Sequence, residues 1–172
     1  VSVADWHAAL EASKVLAKLA AFDPHVAGTF PLGLNVAGSD IDVLCHALDA
    51  DAFAAAVWSA FGDAPGFSMH QWNRSNRPVI AGFTLHEVPF EIFGSPVPVA
   101  EQAGWRHFEI ERQLLALGGG GLRDAVVTAR QEGLKTEPAF AQVLGLKGDP
   151  YAALLELREL DDTALARIMP SR

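Results

Sequence analysis

Apolar residues recur along this chain in two rhythms, and the changes between them divide it into elements. Near the start, Trp6, Leu10, Leu16 and Leu19 stand at helical intervals in an alanine-rich segment, which predicts a helix over residues 3–21 ended by Asp23-Pro24. Ser2 followed by Asp5 reads as a partial capping box at its start. Residues 25–28 suit a short strand, and the Gly/Pro-rich piece up to Gly38 predicts a loop or a short turn of helix. Polar and apolar positions then alternate from Asp40 to His46, the period of a half-buried strand. "ADAFAAAVWSAF", residues 50–61, returns to the helical rhythm and stops at Gly62. Three strand-like runs follow at 67–72, 78–86 and 88–93, the first two joined by a turn at Asn73-Arg74-Ser75-Asn76.

"GSPVPV" then breaks the pattern, and from Glu101 onward only helices are predicted: 101–117, 122–132, 137–145, 149–158 and 161–168, with "GGGG" at 118–121 between the first two. The order predicts an α+β fold. A mixed β-sheet with flanking helices occupies residues 1–100, and a C-terminal helical region, residues 101–172, packs on it.

Composition narrows the function classes. A single cysteine, Cys45, rules out an internal disulfide and suits a reducing cytoplasm. No stretch approaches the roughly 20 apolar residues of a membrane span, and no signal-peptide pattern follows Val1. A cytoplasmic protein without a membrane partner is expected. The net charge of −8 disfavours long nucleic acid as a partner. Residues 1–100 hold 4 basic and 10 acidic side chains against 9 and 11 in residues 101–172, so contacts to a polyanion would come from the second half. A small anionic substrate fits this balance better.

Against that background, "SDIDVLC" is anomalous, since it sets Asp40 and Asp42 in an otherwise apolar run. On a strand they share one face about 6–7 Å apart, while Ile41 and Val43 turn to the core. Two like charges in a partly buried site repel, and burial disfavours ionisation of both. A divalent cation resolves the conflict, and Mg²⁺ prefers carboxylates together with water and substrate phosphates. Glu91 in "VPFEIFG" is the best third acid because Phe90 and Ile92 flank it; Glu87 competes from a position near a strand end. Upstream, Gly28-Thr29 offers backbone able to approach a triphosphate, with a hydroxyl beside it.

"GTFPLG…SDIDVLC" followed by "FEIFG" resembles the active-site pattern of the nucleotidyltransferase superfamily, whose fold DNA polymerase beta shares. More closely, those stretches with "WRHFEIERQLL" and "GLKTEPAFAQVLGLKGDPY", about residues 25–151, resemble an uncharacterised bacterial family, domain of unknown function 4269. The superfamily resemblance implies that Gly28 and Thr29 form the phosphate turn, that Asp40 and Asp42 are paired ligands for Mg²⁺ or Mn²⁺, and that Glu91 is a third metal-site acid helping to activate the attacking hydroxyl. Gly33, Ser39, Arg74, Arg77, Arg106 and Lys135 complete the expected substrate-binding set. This glycine turn departs from the pattern by carrying Pro31, the second glycine Gly33, and Thr in place of the commoner Ser.

Each secondary candidate also has a plain structural reading. Arg74 and Arg77 either grip phosphate or acceptor, or belong to a solvated hairpin turn. Lys135 lacks the glycine spacing of a P-loop, and Thr136 reads as the N-cap of the following helix, with Pro138 in its first turn. Arg106 and His107 lie on a charged helix that also supplies surface ion pairs. Cys45 reads as a small core residue, and no histidine spacing suggests zinc.

The expected activity is Mg²⁺-dependent transfer of a nucleoside monophosphate from an NTP to a hydroxyl acceptor, releasing pyrophosphate. The alternatives are a catalytically silent binding module, such as a toxin–antitoxin-like partner, and a metal-dependent phosphohydrolase.

Overall fold

The computed structural model describes residues 3–73 and 75–169, so the cap expected at Ser2 lies outside the described residues. The chain divides into two compact units. One runs to Phe30 and resumes over Ala37–Trp105; the other comprises Pro31–Val36 and the chain from Arg106 onward.

The first unit opens with a correction. One helix over 3–21 is replaced by α1 (Val3–Ser13), α2 (Val15–Lys18) and a 3₁₀ turn (Ala20–Phe22). The break lies at Lys14, whose φ of 55° is left-handed. Ser13 supports it, its hydroxyl donating to the Leu10 carbonyl at 2.7 Å and accepting from the Val15 N–H at 3.2 Å. Serine side chains compete with helical backbone bonds in this way.

There follow β1 (His25–Ala27), α3 (Thr29–Leu32), β2 (Ile41–His46), α4 (Ala50–Phe61), β3 (Ser68–Gln71), β4 (Val79–Leu85) and β5 (Val88–Ser95). Asp49 caps α4, accepting from the N–H groups of Asp51 and Ala52 at 3.0 Å each. The strands form one sheet in the order β1-β2-β5-β4-β3. The pair β2–β5 is parallel and the other three are antiparallel. This is the expected mixed sheet with flanking helices, with β5 running two residues further than predicted.

Alternation along β2 separates the two faces. Ile41, Val43 and Cys45 are fully buried and join one core with Phe53, Val57 and Phe61 of α4. In that core the Phe83 ring stacks on Phe61 at 4.5 Å and on Phe90 at 5.3 Å. Cys45 is the core residue its sequence context suggested. Burial, and secondarily the charge of Asp23, push its thiol up to about 12. With one face of the sheet given to packing, Asp42 is turned to the other.

The second unit is helical. It holds most of α5 (Ala103–Gln131), then α6 (Thr136–Leu144), α7 (Pro150–Glu156) and α8 (Asp162–Arg167). The two helices expected around "GGGG" are both present within Ala103–Gln131 and meet at a kink at Gly119, whose φ of 61° and ψ of −151° are not helical. Arg130 donates to the Leu34 carbonyl, tying Pro31–Val36 into this unit. His107 is buried, with Nε2 3.0 Å from the Tyr151 carbonyl, and Arg158 pairs with Glu109 at 3.2 Å. The cap expected at Thr136 falls one residue earlier. Lys135 occupies the N-cap position without a side-chain bond, since its ammonium can only donate. No helix among the described residues is long and apolar enough to cross a membrane.

Candidate active site

The sheet register builds the candidate site. Asp42 stands opposite Glu91 across the parallel β2–β5 pair and opposite Ala27 across β1–β2. Neighbouring strands lie about 4.8 Å apart, so the two acids occupy adjacent positions on one face. Glu91 is exposed and Asp42 half-buried. Glu87 is elsewhere: with His86 it forms the two-residue turn between β4 and β5, both at positive φ (63° and 50°). Such a turn matches the twist of the strands it joins. The tight hairpin thus puts Glu91, and not Glu87, beside Asp42.

Asp40 differs from expectation. The chain turns at Ala37-Gly38, and pairing begins only at Ile41, so Asp40 precedes the strand instead of sharing it.

Gly28 is held to glycine twice over. Its φ is +73°, and a Cβ there would overlap Oδ2 of Asp42 and come within 2.7 Å of its Cγ. The Asp42 carboxylate therefore lies against bare backbone at the end of β1, an approach that any side chain would block. Thr29, buried, begins the one-turn α3. Ser39 is buried just ahead of β2.

The other substrate candidates are dispersed. Arg77 is exposed in the β3–β4 turn, donating from Nη2 to Gln71 Oε1 at 3.2 Å while its carbonyl accepts from Gln71 Nε2 at 2.9 Å. These bonds belong to the hairpin-turn reading. Arg74 lies outside the described residues. Gly33, Arg106 and Lys135 belong to the helical unit, the latter two exposed and Gly33 at φ +67°. Sequence reasoning passed over Gly82 and Ser68, which extend the Asp42–Glu91 row across β4 and β3. The signal was present as a lone glycine in the middle of the apolar run "VIAGFTL".

The donor set suits a hard cation. Among the described residues, no three His, Cys, Asp or Glu side chains stand together as a ready metal cage. Mg²⁺ seldom uses such a cage; it is commonly held by one or two carboxylates, with substrate phosphates and water completing its shell. Asp42 and Glu91 provide that number, and the Gly28 backbone leaves Asp42 room beside them.

A five-stranded mixed sheet with flanking helices is the nucleotidyltransferase-like fold, and solved structures share it. The Cid1 poly(U) polymerase bound to MgGTP matches with a TM-score of 0.57 at 15% identity, over 74% of this chain and 41% of that one. A cytoplasmic RNA terminal U-transferase matches at 0.53 and 15% identity, over 88% and 45%. The GLD-2/RNP-8 complex matches at 0.53 and 11% identity, over 81% and 54%. The chain thus spans about half the length, or less, of these structures, and at such identities the likeness is one of fold. Residues 8–157 match the family described as domain of unknown function (DUF4269), and the chain belongs to that family. No curated protein matches it.

Proposed function

We propose that this chain transfers a nucleoside monophosphate from an NTP to a hydroxyl acceptor, with Mg²⁺ or Mn²⁺, and releases pyrophosphate. The observation that carries the reading is the register pairing of Asp42 with Glu91 beside the bare backbone of Gly28, on the face of the sheet left free by the core. Asp42 and Glu91, with Asp40 just upstream, would hold the metal, which when bound neutralises phosphate charge and eases departure of pyrophosphate. Gly28 and Thr29 would meet the triphosphate through backbone N–H groups and hydroxyl, with Ser39 nearby in the chain. Glu91, the exposed member of the pair, would take the acceptor's proton as general base. Gly33, Arg74, Arg77, Arg106 and Lys135 remain substrate-binding candidates under this reading. That some solved relatives in fold are described with MgGTP or a UTP analogue supports an NTP as donor. The one buried thiol suits a reducing compartment, and we assign the protein to the cytoplasm.

The test is a thermal-shift titration of the wild type and Asp42→Ala with Mg²⁺ or Mn²⁺, alone and with each of the four NTPs. A metal-dependent nucleotide shift in the wild type, lost in the variant, is expected. A second reading is the silent binding module. It would lead if the wild type gave no nucleotide shift. Release of orthophosphate in place of pyrophosphate would point to the phosphohydrolase.

A further inference from the structure

A tryptophan with open surface stands on the acid-bearing face of the sheet. Ser68 and His70 of β3 pair with Gly82 and Ile80 of β4, which pair in turn with Glu91 and Phe93 of β5. Trp72 follows His70 by two residues, and its N–H donates to the Pro78 carbonyl at 2.9 Å, so the ladder continues to it. Alternation therefore sets Trp72 on the face that carries Glu91 and Phe93. The rings agree with the register: Trp72 and Phe93 meet edge to face, with centroids 6.2 Å apart and planes at 83°.

β3 and β5 lie two strand spacings apart, about 9.6 Å. Side chains that start so far apart and meet at 6.2 Å lean toward each other across β4. Ile80, opposite Phe93 on β4, is buried. Trp72 nevertheless keeps 49% of its surface exposed, forgoing much of the stabilisation that burying an indole brings. Phe93 follows Glu91 by two residues, about 6.6 Å along β5. Packing on Phe93 thus holds an open indole within a side chain's reach of the acid row. Trp58 is the contrast. It is 60% exposed and edge-on to Phe67 at 5.4 Å, but it belongs to α4, which packs on the other face of the sheet.

We propose that Trp72 is a specificity-determining residue that stacks on the nucleobase of a substrate. The inference rests on the transferase reading, in which Glu91 meets the acceptor hydroxyl, and it adds what else that site recognises. Every base offers a π-face to an indole, and an edge-on neighbour such as Phe93 fixes the angle at which the indole is presented. In a nucleoside, hydroxyl and base are borne by one sugar, which suits an acid and an aromatic platform set one side-chain spacing apart. The stacked base belongs either to the acceptor or to the NTP, and the test separates these sources.

The full chain is titrated by calorimetry, with indole fluorescence followed in parallel. The ligands are the four NTPs with Mg²⁺, the four nucleosides, and two compounds without a base, inorganic triphosphate with Mg²⁺ and ribose. Ligands with a base should quench fluorescence and bind more tightly than their counterparts without one. Trp72→Ala should abolish that quenching and weaken binding of base-bearing ligands at least about fivefold. Trp72→Phe should retain most of the affinity, and Trp58→Ala should bind as the wild type does. Quenching by nucleosides assigns the stacked base to the acceptor; quenching by NTPs alone assigns it to the donor, and either supports the proposal. Equal binding of ligands with and without a base, or undiminished binding by Trp72→Ala, would overturn it. Inorganic triphosphate tests the metal and phosphate half separately: a metal-dependent shift that survives in Trp72→Ala keeps the transferase reading even if stacking fails. Base-dependent quenching by nucleosides, with no response to any metal–phosphate ligand, would keep the stack and remove the transferase reading.

Discussion

Two glycines stand on either side of the Asp42–Glu91 pair, and they are glycines for opposite reasons. At Gly28 the protein fills the space itself, since the Asp42 carboxylate lies where a Cβ would be and φ is left-handed. At Gly82 the space stays empty, and an ordinary side chain would fit. The β1 side of the row is closed, with Ala27 buried, whereas the β3–β4 side is open, with Ser68 exposed. The one position holds an acid against a rigid wall, and the other leaves the sheet surface without a side chain. The contrast teaches that a glycine's role is read from what its missing Cβ would touch.

Substitutions can break this contrast at graded strengths. Asp42→Ala should have the largest effect, abolishing the metal-dependent nucleotide shift and lowering transfer by at least about 10²-fold, measured as pyrophosphate release. Glu91→Gln keeps shape but loses basicity. It should reduce turnover by about 10²–10⁴-fold while a nucleotide shift persists, a split visible by running both assays on one preparation. Gly28→Ala should lower stability by about 1–3 kcal/mol in urea melts, through positive-φ strain and the clash with Asp42, and weaken the nucleotide shift with it. If it melted like the wild type, the closed wall would not exist.

The last test concerns the opposite face of β2 and leaves the site untouched. Unfolded, the Cys45 thiol ionises near its ordinary value of 9.0; folded, burial holds it protonated to about 12. Between those values the unfolded chain binds fewer protons, so stability must fall as pH rises through this window, by up to about 1.4 kcal/mol per pH unit from this group. Cys45→Ala should flatten that part of the alkaline decline in urea melts at successive pH values and leave the nucleotide shift unchanged.

The sequence exposed the acids more readily than their arrangement. Asp42 was conspicuous because its neighbours Ile41 and Val43 belong to the core. Glu91 and Glu87 were separable only in part, because alternation assigns faces but not pairing partners; the two-residue His86-Glu87 turn settles their positions. Strand order was invisible, since nothing local says that β2 lies beside β5. Nor did any residue pattern announce the left-handed Lys14 that divides the first helix, because lysine carries no preference for that conformation. Gly82 was overlooked for a related reason. Its role depends on its cross-strand neighbours, Glu91 and Ser68, which only the register supplies.

The parallel seam between β2 and β5 also sets a timetable. A parallel pair cannot be closed by a tight turn, and here α4, β3 and β4 all intervene between its partners. Hairpins such as β4–β5 form within microseconds, whereas distant strands must first overcome the entropy of closing a long loop. Asp42 and Glu91 therefore meet late in folding. On the ribosome, a chain that has not yet released β5 holds Asp42 without its partner acid, so under the transferase reading competence to bind a nucleotide would arrive with the closing of the sheet and not before it.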